Sequence, residues 1–155
     1  MPQMNKGGKY VFGISEIKDD GTVRFPSEAV TEYGIASEGR VYLFTGSKST
    51  GGFCVTRKGL LLPSKLGHIL TETPCLLNYT SKPGEFVKYK GRSYCHIGIS
   101  KNGETVLDKE TLDYLGLKPG MRLLSIRSSD IAFTMGAEGP LLKKAESFDG
   151  DIPVY

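Results

Sequence analysis

Apolar residues along this chain come in short runs, and glycine-containing turn steps interrupt them before helical periodicity develops. Tyr10–Ile17 and Thr22–Phe25 flank Asp20-Gly21, a dipeptide typical of hairpin turns. Asn102-Gly103 and Pro119-Gly120 separate later runs in the same way. The pattern predicts a mainly β protein with short helices.

The landmarks of the first part of the chain return near its end. The matched pairs are Phe12-Gly13-Ile14-Ser15 with Ile97-Gly98-Ile99-Ser100, Asp20-Gly21 with Asn102-Gly103, Glu28 with Glu110, Gly34-Ile35 with Gly116-Leu117, Gly39 with Gly120, and Lys58 to Leu62 with Glu138 to Leu142. Because they occur in one order with small changes of spacing, they predict an internal repeat.

The repeat divides the chain into four parts. Residues 9–62 form a first unit and residues 96–145 a second, each predicted as strand, turn, strand, short helix, turn, strand, loop and strand. Residues 63–95 lie between them, and residues 146–155 form a polar tail that we expect to be mobile. A unit of this size buries little core alone, so we expect the two to pack together.

Local signals predict the helices and one further hairpin. Pro26 suits the start of a short helix that ends at Gly34, and Asp108 suits the N-cap of Lys109–Leu115. Between the units, Pro63–Thr73 is predicted as a short helix. The strands Glu85–Tyr89 and Ser93–Ile97 flank a Lys-Gly step, which predicts a hairpin.

These residues resemble the AbrB/SpoVT swapped-hairpin family. The resemblance rests on Lys9 to Gly13, Asp20-Gly21, Phe25-Pro26, Glu28, Gly34-Ile35 and Gly39 in the first unit, and on Gly103 to Ile126, with Leu115-Gly116-Leu117-Lys118-Pro119-Gly120, in the second. The doubled arrangement is also similar to MraZ-like proteins. The resemblance implies a swapped-hairpin, AbrB-like barrel built from two internal repeats within one molecule.

Many members of this family are transcriptional regulators or antitoxins that bind DNA through arginines on the first hairpin and helix. Here Thr22 and Glu104 stand where the arginine after the turn glycine is expected. The basic residues left in the first hairpin are Lys9, Lys18 and Arg24, which are therefore the candidate nucleic-acid contacts.

Charge adds little support for DNA binding. The net charge is +3, and the segment 63–96 carries the largest excess, with 5 Lys/Arg against 2 Asp/Glu. A duplex-binding surface normally concentrates basic residues, because release of counterions from phosphates supplies much of its affinity. In this segment Tyr79, Tyr89 and Tyr94 lie near Lys82, Lys88, Lys90 and Arg92, a composition that also suits a basic-aromatic nucleic-acid surface.

Other chemistry is not indicated. Cys95 and His96 are adjacent, and because neighbouring strand residues point to opposite faces they do not predict a shared metal. The loop Thr45–Gly52 lacks the spacing of a phosphate-binding loop and is predicted as a hairpin connection. No catalytic motif appears, so we expect neither enzymatic activity nor a cofactor.

Three cysteines and the absence of a signal-like start favour a cytoplasmic protein without a membrane span.

Two hypotheses for function follow. The first is a DNA-binding transcriptional regulator of the AbrB/SpoVT type, in which Lys9, Lys18 and Arg24 face double-stranded DNA and self-association enlarges the surface. The alternative is a degenerate barrel that no longer binds DNA and serves as a protein-interaction or small-ligand-binding module. The missing arginines motivate the alternative.

Overall fold

The computed structural model describes residues 10–45, 51–138, 142, 143, 145 and 152–155. The predicted contact residue Lys9 and most of the predicted loop Thr45–Gly52 lie outside these ranges. The elements are β1 (Val11–Glu16), β2 (Thr22–Arg24), α1 (Ser27–Tyr33), β3 (Arg40–Thr45), β4 (Phe53–Thr56), α2 (Lys58–Leu61), α3 (His68–Thr71), α4 (Pro74–Leu77), β5 (Val87–Tyr89), β6 (Arg92–Gly98), β7 (Glu104–Val106), α5 (Lys109–Leu115), β8 (Arg122–Arg127) and β9 (Phe133–Gly136).

The chain is mainly β with short helices, as predicted. Seven strands form one antiparallel sheet in the order β1-β8-β9-β4-β3-β6-β5, and β2 pairs with β7 in a separate two-stranded ribbon. Among the described strands, β1 and β5 occupy the two ends of the sheet order, and no closed barrel is formed.

The prediction that Tyr10–Ile17 and Thr22–Phe25 form a hairpin with each other is wrong. β1 pairs with β8, and β2 pairs with β7. The Asp-Gly turn does form, since the Lys18 amide donates to the Thr22 carbonyl at 3.0 Å, but beyond it the two strands diverge. Burial explains the divergence, because Val11 and Ile14 on one face of β1 and Phe12 on the other are all buried, and a two-stranded hairpin could not cover both faces.

The helix signals are confirmed at two positions and wrong at one. Gly34 ends α1 at φ 60° and Gly116 ends α5 at φ 71°, in the left-handed conformation that glycine adopts without strain. The Asp108 carboxylate accepts from the Thr111 amide at 2.8 Å, which confirms the predicted N-cap. The predicted helix Pro63–Thr73 is confined to α3, and a separate helix, α4, begins at Pro74.

The hairpin between the units is confirmed. β5 and β6 are antiparallel, with Tyr89 opposite Arg92. Lys90 and Gly91 connect them at φ values of 46° and 85°, as a two-residue hairpin turn with two left-handed positions requires.

The core consists of three clusters, one on one face of the sheet and two on the other. The largest lies between the sheet and the layer formed by the ribbon, α1 and α5, where Phe12, Phe25, Tyr33 and Phe133 pack edge-on or tilted at centroid distances of 5.2–6.2 Å. On the opposite face, α2, α3 and α4 cover the β3–β6 half of the sheet. The β1–β8 half is covered by Leu142, Ala145 and Ile152.

The expectation of a mobile tail is wrong for the last described residues. Val154 forms a parallel bridge with Ile14, and the Ile14 and Glu16 amides donate to the carbonyls of Pro153 and Tyr155 at 2.8 and 2.9 Å. Gly13 leaves room for this segment, because a Cβ there would lie 2.9 Å from the Pro153 carbonyl oxygen. The edge of β1 is therefore paired by residues from the end of the chain.

Ser15 and Ser125 are both fully buried on the β1–β8 pair, but only one of them has a described hydrogen-bond partner. Their alanine variants therefore test how much each hydroxyl contributes to stability. Ser15 Oγ donates to the Arg24 carbonyl at 2.6 Å, whereas Ser125 Oγ has no hydrogen-bond partner among the described residues. We expect Ser125→Ala to raise the free energy of unfolding by about 1 kcal/mol, since it removes an uncompensated buried hydroxyl, and Ser15→Ala to lower it by about the same amount.

Urea unfolding of the two variants beside the parent chain measures both effects. Equal destabilisation by the two substitutions would show that Ser125 has a hydrogen-bonding role that the described contacts do not explain.

Candidate functional site

The ribbon presents one predicted contact residue directly opposite a carboxylate. In the β2–β7 register, Arg24 faces Glu104 and Thr22 faces Val106, while Val23 is buried beneath them. The Cζ of Arg24 also lies 6.0 Å from the centroid of the Tyr155 ring. The positive charge of Arg24 is thus exposed, but it has an acidic neighbour across the ribbon.

Lys18 lies at the turn end of β2 in an acidic depression. The residues that line this depression are Glu16, Lys18, Asp19, Asp20, Thr22 and Glu104. Hydrogen bonding from the Thr22 side chain, and then from the Thr22 amide at 2.9 Å, holds the pKa of the Asp20 carboxylate below its usual value. Asp20 therefore stays ionised beside Lys18, and the field there repels phosphate.

A cavity of about 370 Å³ adjoins the same turn. Its apolar wall consists of Leu107, Leu112 and Leu117, and its polar residues are Asp19, Asp20, Asp108, Lys109, Asp113 and Lys118. Asp108 is engaged as the cap of α5, and Lys109 Nζ pairs with Asp113 Oδ2 at 2.9 Å. The ribbon end of the molecule is therefore predominantly acidic around an apolar recess.

Basic and aromatic side chains meet instead on the opposite face of the sheet, in what we call the Tyr79 cluster (Arg40, Lys58, Tyr79 and His96). Lys58 Nζ lies 4.1 Å and Arg40 Cζ 5.4 Å from the centroid of the Tyr79 ring. Tyr79 itself has φ 56°, a left-handed conformation unusual for an aromatic residue. Two cations thus lie close to the ring of Tyr79, which follows α4.

The imidazole of His96 links this cluster to the segment between the units. Arg40 Nη1 lies 3.2 Å from His96 Nδ1, and because a guanidinium only donates, Nδ1 is the acceptor. His96 Nε2 then carries the proton and donates to the Ser81 carbonyl at 2.7 Å. Burial, together with the nearby charge of Arg40, lowers the pKa of His96. His96 is therefore neutral, and its two hydrogen bonds fix the imidazole between Arg40 and Ser81.

The acid nearest to the cluster is already bound. Arg57 Nη1 contacts Glu38 Oε2 at 2.7 Å, and the Gly59 amide donates to the same carboxylate oxygen at 3.0 Å. Arg57 also donates through Nε to the Tyr33 carbonyl at 2.8 Å. Glu38 thus fixes the start of α2, and the charges of Arg40 and Lys58 are not matched by a described ion pair.

The β5–β6 hairpin carries a further group of cations. Lys88, Lys90 and Arg92 are exposed, and none forms an ion pair with a described carboxylate. Lys90 Nζ lies 5.4 Å from the Tyr89 ring centroid, and Arg92 Cζ lies 5.9 Å from that of Phe44. Of the tyrosines and basic residues that the sequence associates in segment 63–96, the hairpin therefore brings Tyr89 and Lys90 together.

The remaining basic and aromatic residues of that segment have other partners. Lys82 pairs with Glu110 at 3.7 Å, and Tyr79 contacts Arg40 and Lys58 rather than a cation of its own segment. The sequence does not reveal that Arg40 and Lys58 lie beside Tyr79, since they are far from it along the chain. Only the order of the strands brings these residues together.

Cys95 and His96 point to opposite faces of β6. Cys95 lies in the large core, where burial raises the pKa of its thiol to about 12, whereas His96 faces the Tyr79 cluster. A thiol in that state is a poor metal ligand or nucleophile.

Within the described ranges, no group of three or more His, Cys, Asp or Glu residues is arranged to hold a metal ion. The helices in those ranges are all too short or too polar to cross a membrane.

No protein-family model matches this chain, and no curated protein matches it in sequence.

His96 predicts an acid-sensitive stability. Its pKa lies below its ordinary value of 6.5 in the folded chain, so the unfolded chain binds the proton more readily. The contribution of neutral His96 to the free energy of unfolding is fully present above pH 6.5. It decreases as the pH falls through the pKa of His96 in the folded chain. We expect the free energy of unfolding to decrease with acidification in this range, and NMR titration of the His96 imidazole to give a pKa below 6.5.

The second histidine supplies the control. His68→Gln should leave the acid dependence of unfolding in place, whereas His96→Asn should reduce it. An unchanged pH dependence in His96→Asn, or an unshifted imidazole pKa, would contradict the assignment.

Proposed function

We propose that this chain is a swapped-hairpin module of the AbrB/SpoVT type with both halves in one polypeptide, and that it binds duplex DNA. The observation that carries the architecture is reciprocal strand exchange. β1 of the first unit pairs with β8 of the second, and β6, whose last three residues begin the second unit, pairs with β3 of the first. β2 and β7, which follow the two turns, pair with each other.

The hydrogen bonds around the two turns support this proposal, because they correspond one to one. The Lys18 amide donates to Thr22 at 3.0 Å and the Ser100 amide to Glu104 at 2.9 Å. Beyond the turns, Leu107 donates to the Gly21 carbonyl at 2.9 Å and Phe25 to the Gly103 carbonyl at 2.8 Å. Equivalent positions of the proposed repeats thus make equivalent contacts, as a duplicated hairpin would.

Charge favours the β5–β6 hairpin over the β2–β7 ribbon as the DNA-contacting surface. Lys88, Lys90 and Arg92 are exposed there without a described acidic partner, whereas Lys18 and Arg24 have carboxylates beside them. A two-stranded ribbon fits the major groove of B-DNA, and unpaired cations along it would displace counterions from the phosphates. These contacts would position the protein on a duplex rather than select a sequence.

A titration on random duplex DNA at about 50 and 200 mM salt tests the proposal. We expect dissociation constants in the range of about 10⁻⁴–10⁻⁶ M and weaker binding at the higher salt. The double variant Lys88→Gln, Lys90→Asn should bind less tightly, and the slope of log affinity against log salt should fall by about 2, because each lost phosphate contact contributes about 0.9. Asn at position 90 keeps the left-handed turn available.

Arg24→Gln is the matched comparison on the ribbon. We expect it to change the slope less than the double variant does. A larger loss from Arg24→Gln would return the interface to the ribbon, and absence of binding at low salt would contradict DNA binding by this chain.

A second candidate function, binding of a protein partner or small ligand at the ribbon, is favoured by the recess beside the first turn. There, Leu107, Leu112 and Leu117 form an apolar wall beneath a largely acidic rim. That combination suits a basic peptide segment or an organic cation rather than a nucleic acid. Failure of the DNA titration would direct attention to this surface.

A further inference from the structure

A second cavity, of about 340 Å³, lies on the face of the sheet that α2 and α3 cover. Its residues come from β3, β6, α2, α3 and the connection between β8 and β9. They are Phe44, Leu61, Leu66, Ile69, Arg92, Tyr94, Ser128, Ser129, Ile131 and Ala132. A cavity of this size falls in the range that small-molecule sites occupy.

The cavity wall is apolar and largely fixed. Leu61, Ile69 and Tyr94 are buried in the core beneath α2 and α3, and the ring of Phe44 packs on that of Tyr94 at a centroid distance of 5.6 Å. Leu66 stands 47% exposed among the lining residues. A ligand here would bury an aliphatic or aromatic body against preformed carbon surface.

The connection between β8 and β9 forms a pre-organised side of the cavity. Ser129 Oγ accepts from the Ile131 and Ala132 amides at 3.3 and 3.2 Å, and the Ser129 amide donates to the Ala132 carbonyl at 3.0 Å. The Ser129 carbonyl accepts from the Tyr33 hydroxyl at 2.6 Å, which fastens this turn to the main core. This side therefore needs little ordering when a ligand binds.

Arg92 is the one lining residue that carries a full charge. Its guanidinium lies 5.9 Å from the Phe44 ring centroid, and Nη1 donates to the Thr45 carbonyl at 3.2 Å. No described carboxylate pairs with it. A guanidinium has five N–H donors, so most of them remain to bind a carboxylate in the two-point geometry that arginine favours.

We propose that this cavity binds a small amphipathic carboxylate, with its hydrocarbon body against Phe44, Tyr94 and Ile131 and its carboxylate on Arg92. At about 30 Å³ for each non-hydrogen atom, the volume holds roughly eleven such atoms. This corresponds to a medium-chain fatty acid or an arylalkanoic acid. None of its lining residues belongs to the β2–β7 ribbon or to the Tyr79 cluster, and it shares Arg92 with the β5–β6 hairpin surface proposed to contact DNA.

Three ten-carbon probes of equal length test the class of ligand. Decanoate, 1-decanol and decylammonium are titrated separately into the full chain, and binding is followed by calorimetry and by amide chemical shifts. We expect decanoate to bind at least tenfold more tightly than 1-decanol and decylammonium to bind least, with the largest shifts at Arg92, Tyr94 and Ile131. Equal affinity for the three probes, or shifts confined to other residues, would overturn the proposal.

Two variants separate the charged contact from the apolar wall. Arg92→Gln should reduce decanoate affinity to that of 1-decanol and leave 1-decanol unchanged. Ile131→Trp should fill the cavity and weaken both probes. If Ile131→Trp lowers stability, Leu66→Trp at the exposed side of the cavity provides the same block. Retained decanoate binding in all of these variants would place the ligand elsewhere and overturn the assignment.

Lys88 gives a matched control on the same hairpin. It lies opposite Ser93 in the β5–β6 register and therefore projects to the face of the sheet away from Arg92 and Tyr94. Lys88→Gln should leave decanoate binding unchanged, and a loss equal to that of Arg92→Gln would show a general charge effect. Since the titration contains no DNA, its failure is distinguishable from failure of the proposed DNA binding.

Discussion

The pairing of strands that lie far apart along the chain, β1 with β8 and β3 with β6, is the constraint on which the rest of this molecule depends. β1 has apolar residues on both faces, with Phe12 in the main core and Val11 and Ile14 on the opposite side, so it requires a wide sheet as its neighbour. β8 supplies that neighbour, and β3 does the same for β6. The main core therefore forms only when residues distant along the chain have come together. Folding of this chain is expected to be slow for its length.

The sequence predicted local features well, because turn and cap chemistry involves few residues. Gly34 and Gly116 ended helices as expected, Asp108 capped α5, and the Lys90-Gly91 turn joined β5 to β6. It did not predict that β1 pairs with β8 and β2 with β7, since an Asp-Gly turn is compatible with a hairpin or with two strands that separate beyond it. It also could not place Arg40 and Lys58 beside Tyr79, because that contact depends on β3 lying next to β6.

Distribution of charge, rather than net charge, distinguishes the two ends of the molecule. On the β2–β7 ribbon, Glu104 lies opposite Arg24, and Asp19 and Asp20 adjoin Lys18. A phosphate approaching this surface would meet carboxylates at close range, where the local field outweighs a net charge of +3 spread over the whole chain. The residues that follow the two turn glycines, Thr22 and Glu104, carry no positive charge, and the ribbon around them is acidic.

The segment between the units is what makes the two halves unequal. α3, α4 and β5, together with α2, cover the β3–β6 half of the sheet, whereas Leu142, Ala145 and Ile152 cover the β1–β8 half. With symmetric covers, the two halves of this sheet face would offer equivalent surfaces. Instead, one half gains the cations of the β5–β6 hairpin, the buried imidazole of His96 and an apolar cavity beside Arg92. The features that could bind a ligand or nucleic acid are therefore concentrated on the β3–β6 half of the sheet, which the segment between the proposed repeats covers.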